Sequence, residues 1–250
     1  MILALSIILF LLLALIGKKR GIKTFVSFYV SFLLICLFVL LMGFGINAFL
    51  LSLGMCILAS WFILFFLNGN NIKTKTAFIS IIVVFLIIFV LTFIIVKLAN
   101  IQGFSQDSIE SIGGFYLDIN YDMSDVLIAV YLLGILGTII DTAMSISSAL
   151  YEVYDNNRNL NTKELYISGM NIGKDILGTT INTLFFALVI TFIGFFLWHR
   201  DTAFWYILNY KVFCQDVINL LICFISSVAI IPITSKVCSL LYVKHFDYYK

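Results

Sequence analysis

Charge is scarce in this sequence. Only 11% of its 250 residues are Asp, Glu, Lys or Arg, against about a quarter in soluble domains. Proline occurs once, at Pro232, so no proline-rich linker divides the chain. Histidine occurs twice, at His199 and His245, far apart in sequence. The five cysteines, Cys36, Cys56, Cys214, Cys223 and Cys238, form no C-x-x-C pair, and four of them lie inside apolar runs. They read as small hydrophobes, and no metal site follows from them or from the histidines. No basic face is interleaved with aromatics, which argues against a nucleic-acid partner. No cofactor motif is present either, and none is expected.

What remains is apolar. Hydrophobic residues make up 62% of the chain, at a mean hydropathy of +1.13. So much apolar surface cannot be hidden in a soluble fold of this length, so the bilayer must be the solvent for most of it. A membrane span needs roughly 20 apolar residues. Seven stretches reach or approach that length: 1–16, 25–44, 48–67, 77–96, 126–149, 176–198 and 217–243. The first is short, but its charges follow the apolar run and no A-x-A site appears, so it reads as an anchor and not as a signal peptide. The last contains Pro232, where a kink or tilt is expected. The fold class is therefore all-α: a single polytopic helix bundle over residues 1–250, with about seven transmembrane helices.

Lys and Arg set the orientation. With the N-terminus outside and the C-terminus inside, 12 of the 15 basic residues fall in cytoplasmic segments; only Lys97, Arg200 and Lys211 fall outside. The outer segments carry Asp107, Glu110, Asp118, Asp122, Asp125, Asp201 and Asp216. The outer stretch 101–124 is acidic and reads as a solvated loop. The stretch 201–213 is aromatic and reads as a short interfacial helix, with Trp205, Tyr206 and Tyr210 at headgroup depth.

The first four stretches are almost pure Leu, Ile, Phe and Val. The fifth and sixth differ. In the fifth, Gly134, Gly137, Asp141, Ser145, Ser148 and Glu152 recur at steps of three or four, so they share one helical face. In the sixth, Asn171, Asp175, Gly178 and Asn182 do the same, with Lys174 beside them. Gly134, Gly137 and Gly178 are the packing positions, because small residues let another helix approach closely. Asn182 lies about 10 Å into its helix, near the depth expected of Asp141. The two polar faces are therefore expected to meet at one level. Between them, Asn161 and Glu164 form a capping box, and Gly169 and Gly173 are expected to break the helix before the membrane. An ionised Asp at a helix centre costs about 2.5 to 3.5 kcal/mol on insertion scales. Asp141 must be paired, with Lys174 or Lys236 as candidates, or protonated, or wet. An ion or proton site and a buried pair that locks packing are both consistent with this.

The runs Gly137-TII-Asp141-TAMSISSALYE and Glu164-LYISGMNIGKDILGTTINTL resemble the core signature of the YibE/F family of bacterial multi-pass membrane proteins. The matching patterns are D-x-A-x-S-I-x-S-A and S-G-x-N-I-G-(K/R)-D-I-x-G-T-x-x-N-T-L. The resemblance implies a bacterial cytoplasmic membrane. Such proteins come as a pair, a longer one with an extra N-terminal extracytoplasmic region and a short one, which this chain resembles. A longer companion, or a homo-oligomer, is the partner implied. The resemblance supplies no reaction.

Three functions are weighed. The first is a subunit of a small-solute or ion transporter, its site between the fifth and sixth helices and formed by Asp141, Ser145, Ser148, Glu152, Asn171, Lys174, Asp175 and Asn182. The second is a non-transporting accessory or scaffold subunit. The third is an intramembrane aspartyl enzyme using Asp141 and Asp175 as a dyad. Against the third, the G-K-D stretch is not the G-x-G-D of intramembrane aspartyl proteases. The transporter reading is the one expected, without catalytic residues.

Overall fold

The computed structural model describes residues 2–99, 101, 123–198 and 204–247. Among the described residues all regular structure is helical: α1 (Ile2–Gly43), α2 (Ala48–Asn68), α3 (Ile72–Leu98), α4 (Met123–Asn156), α5 (Thr162–Trp198), α6 (Phe204–Leu208) and α7 (Lys211–Asp247). Six of these, all but α6, are long and apolar enough to cross a membrane. Their outward faces carry large apolar side chains such as Phe32, Leu50, Leu58, Ile87 and Val90. Lipid is the solvent that such faces require, and the protein is an integral, multi-pass membrane protein. The expected acidic loop at 101–124 lies almost wholly outside the described residues.

The first two apolar stretches both lie in α1, which doubles back on itself. Lys18 has a φ of 47°, the only positive φ at a described non-glycine residue. Such a backbone is rare for a side chain with a Cβ, and here it breaks the helix into two arms. Ser6 Oγ lies 2.5 Å from the Tyr29 hydroxyl, and the rings of Phe10 and Phe25 are 4.9 Å apart. In a straight helix Ser6 and Tyr29 would stand about 34 Å apart, at 1.5 Å per residue. The arms are antiparallel, and Gly21 makes their contact possible. A Cβ at Gly21 would lie 1.8 Å from the Leu13 carbonyl oxygen.

The turns that follow are local. Asn47 caps α2 by accepting from the Phe49 and Leu50 amides at 2.9 and 3.4 Å. Gly69, at a φ of 75°, turns the chain from α2 into α3. Half of the expected capping box before α5 is present: the Asn161 amide donates to Glu164 Oε2 at 3.0 Å. The short helix expected near Trp205 is α6, with Trp205 and Tyr206 exposed and Ile207 buried. The last helix runs through Pro232 without a break.

The core is made by α3, α4 and α7. Ile81, Val84 and Ile88 of α3 meet Ile128, Leu132, Ile135, Ile139 and Ile146 of α4, and Ile222 and Ile230 of α7 join them. The spacing of three and four is that of one buried helical stripe on each element. At one end of this core the packing becomes polar. Thr76 Oγ1 lies 2.9 Å from Ser147 Oγ and 3.0 Å from the Tyr242 hydroxyl, which is itself 2.6 Å from Ser147 Oγ. Ser147 also lies within donating distance, 2.7 Å, of the Lys73 carbonyl, and Tyr242 within 2.9 Å of the Ser147 carbonyl. All three side chains are fully buried. This node ties three helices together and fixes their rotation.

The basic segments gather at the same end. Lys73 pairs with Glu152 at 2.8 Å, and Arg20 donates to Asn68 at 3.1 Å. As a surface pair, Lys73–Glu152 contributes little to stability, but it marks the level of that end.

Helix α5 lies on the outside of the bundle, against α7. In its first half the buried residues follow one stripe, Leu165, Gly169 and Gly173; Phe192 is buried nearer its end. Gly169 and Gly173 do not break the helix, as their sequence context had suggested. They are its contact points. A Cβ on Gly169 would lie 2.6 Å from Ser235 Oγ and 2.8 Å from Leu150 Cδ1, and one on Gly173 would lie 2.2 Å from Ile231 Cγ2. The space beside both glycines is filled by side chains of α4 and α7 and not by solvent.

Ser147→Val removes the hydroxyl that Thr76 and Tyr242 share and leaves both buried without it. A loss of about 1 to 3 kcal/mol is expected for each stranded polar group. Thermal unfolding in detergent should show a clear drop, whereas Ser145→Val, on the opposite face, should show almost none.

Candidate functional site

Two polar stripes run along α4 and α5, and neither is covered. On α4, Gly134, Gly137, Asp141, Ser145 and Glu152 are exposed, and Ser148 is half-buried. On α5, Asn171, Lys174, Asp175, Gly178 and Asn182 are all exposed. The cause is helical geometry. Successive residues turn by about 100°. Asn171, Gly178 and Asn182 therefore lie roughly opposite Gly169 and Gly173, the residues pressed onto α7. Asp141 lies opposite Leu150, the residue that touches α5 at Gly169.

The structure therefore does not bring the two stripes together within one chain. Among the described residues no hydrogen bond or ion pair joins Asp141 to Asn182, Asp175, Lys174 or Lys236. Among the described residues Asp141 and Asp175 share no hydrogen bond. Glu152 is engaged elsewhere, with Lys73. Lys236 lines an open cleft with Tyr166 and Pro232, on the other side of α5. The threonines of α5 satisfy themselves: Thr179 donates to the Ile176 carbonyl at 2.8 Å and Thr183 to that of Thr179 at 2.9 Å. Among the described residues Asp141, Ser145 and Asn182 have no such partner.

The α4 stripe runs from Gly134 to Glu152, about 27 Å at 1.5 Å per residue, close to the roughly 30 Å of a bilayer's hydrocarbon core. At its Gly134 end it opens into a cavity of about 270 Å³ between α4, α5 and α7. Asp216 and Asn219 of α7 line this cavity with Gly134, Leu184 and Phe192. A second, apolar cavity of about 200 Å³ flanks the stripe at Gly137, walled by Phe38, Met55 and Ala59.

Sequence reasoning missed three features of this region. Asp216 reads from the sequence as part of an outer segment; the structure places it in the second turn of α7, where it lines a cavity. Nothing in its local sequence marks it, because its neighbours across the cavity come from distant segments. Ser147 was passed over for Ser145 and Ser148. Its spacing from Ile140, Ala143 and Tyr154, all apolar or aromatic and buried, could have placed it on the core face. Gly169 and Gly173 were read as breakers because glycine lowers helix propensity; their spacing of four is equally that of a packing face.

A family model described as YibE/F-like protein matches residues 5–244, nearly the whole chain. No curated protein and no solved structure matches it.

The two sets of glycines should respond in opposite ways. Gly173→Val forces overlap with Ile231 and should lower stability by about 1 to 3 kcal/mol or more. Gly178→Val meets nothing within 4 Å in the chain and should leave the unfolding temperature of the isolated protein unchanged. Unfolding of both purified variants, monitored by tryptophan fluorescence in detergent, checks the contrast.

Proposed function

The chain belongs to the YibE/F-like family, and from that premise we propose that it is a subunit of a transporter for a small solute or ion in a bacterial cytoplasmic membrane. Its N-terminus lies outside and its C-terminus in the cytoplasm. Both arms of α1 count as crossings, which makes seven, and the basic end described above faces the cytoplasm. The path runs along α4. It enters at the cavity lined by Asp216 and Asn219, passes Gly134 and Gly137, and reaches Asp141 and Ser145 before leaving beside Glu152.

One observation carries this reading: a carboxylate and its polar neighbours stand exposed and unpartnered inside apolar spans. Lipid does not tolerate such groups, and ionisable residues in membrane helices mark ion and substrate pathways or proton relays. The glycines keep the outer half of the stripe open, and the hydroxyl of Ser145 supplies oxygen beside Asp141. Protonation of Asp141 is the natural coupling step, since a neutral carboxyl crosses between wet and dry surroundings far more cheaply than an anion. The protein carries its solute without transforming it.

The accessory reading differs in a single property, wetness. Single cysteines at Ser145, Ser148 and Asn182, in a variant with the five native cysteines replaced, would be exposed to a membrane-impermeant maleimide in intact cells and in inverted vesicles. Labelling at depth is the expected result. Sites that stay unlabelled while loop controls react would make the stripe dry packing and the chain a scaffold. In parallel, Asp141→Asn should abolish flux with expression and unfolding temperature unchanged. A collapse in expression would mean that Asp141 serves the fold.

A further inference from the structure

We infer that a second copy of this chain covers the stripes, with α4 of one copy set against α5 of the other. Leu150 of α4 and Gly169 of α5 touch, and the two helices run antiparallel. Nine residues up from each contact, about 13 Å, stand Asp141 and Gly178. Four residues further along stand Gly137 and Asn182. Gly134 and Leu184 then meet at the same cavity, which confirms the register.

Read at equal depth, the two stripes are complementary in size. Each long polar side chain faces a glycine: Asp141 faces Gly178, and Asn182 faces Gly137. No Cβ at Gly137 or Gly178 would meet any atom within 4 Å in the single chain. These positions are therefore holes without knobs. The knobs sit on the other stripe, and the chain cannot bring them together itself because both stripes turn outward. A second copy related by an axis along the membrane normal keeps every residue at its own depth. It therefore presents α5 to α4 in this same register.

One charge pairing, of Lys174 with Asp141, points the same way, although the α5 stripe also carries Asp175. Lys174 lies one helical turn, about 5.4 Å, from the level of Asp141 towards the basic end. Its flexible four-carbon stem can reach across that distance. Neither has an ion-pair partner among the described residues of its own chain. Small residues that admit close approach, with polar groups bonding across the contact, are what holds helices together in lipid. Each copy carries both stripes, turned to opposite sides, so the contact is head-to-tail and closes as a ring of copies about an axis along the membrane normal. Where this interface is also wet, the path proposed above runs between copies; the association itself does not rest on that reading.

The test reads association and not flux. Two differently tagged copies, each without native cysteines, would be co-expressed, one carrying Gly137→Cys and the other Asn182→Cys. Mild oxidation in native membranes should give a species bearing both tags. Leu58→Cys with Val90→Cys, both on exposed faces elsewhere, should give none. Thr76→Cys with Ser147→Cys in one copy, whose hydroxyl oxygens lie 2.9 Å apart, reports that the oxidation works. In addition, subunit counting by photobleaching of the protein with its native cysteines should give two or more copies per complex, and Gly178→Leu should reduce this to one while leaving the fold intact. If the control pair closes and the intercopy pair does not, or if the native protein counts as one copy, the occupant of the stripes is not a second copy.

Discussion

The buried hydroxyl node of Thr76, Ser147 and Tyr242 is the constraint on which the rest of this structure depends. In lipid, apolar packing alone specifies helix rotation poorly, because one apolar face is much like another to the solvent. A buried hydroxyl is different: turned outward, it loses partners that hydrocarbon cannot replace. Ser147 is within 3 Å of groups on both α3 and α7, so α4 has one rotation that satisfies it. That rotation sends the opposite face of α4, with Asp141 and Ser145, out of the bundle. The exposed stripe is thus the reverse side of the lock.

The same division holds for α5. Gly169 and Gly173 let its backbone close onto Ile231 and Ser235, and close contact on that side commits Asn171, Asp175 and Asn182 to the other. Two helices joined by a short, capped turn thereby present their polar faces outward at matched depths. The carboxylate and amide exposed in this way need water or another protein surface.

Much of the architecture was legible beforehand. Apolar runs, capping residues and the sorting of Lys and Arg are local signals. They located the helices, the Asn161–Glu164 contact and the short helix near Trp205. The choice of α4 and α5 as the polar region also followed from spacing alone. Less legible was what each polar residue touches. The reading of the first two stretches as separate helices matches the two arms of α1, yet the pairing of Ser6 with Tyr29 is a matter of three-dimensional closure. Asp216 shows the limit most clearly: its cavity is assembled from three helices, and no window of sequence contains it.

The sequence by itself determined that this chain lives in lipid, that it is helical, and which residues share a face of each helix. Periodicity decides this, because 3.6 residues per turn is a property of the backbone. Only the tertiary structure decided which of those faces turns inward. That choice rests on distant partners, the hydroxyl of Tyr242 for Ser147 and the side chains of Ile231 and Ser235 for the two glycines, and it left the polar stripes of α4 and α5 apart and open.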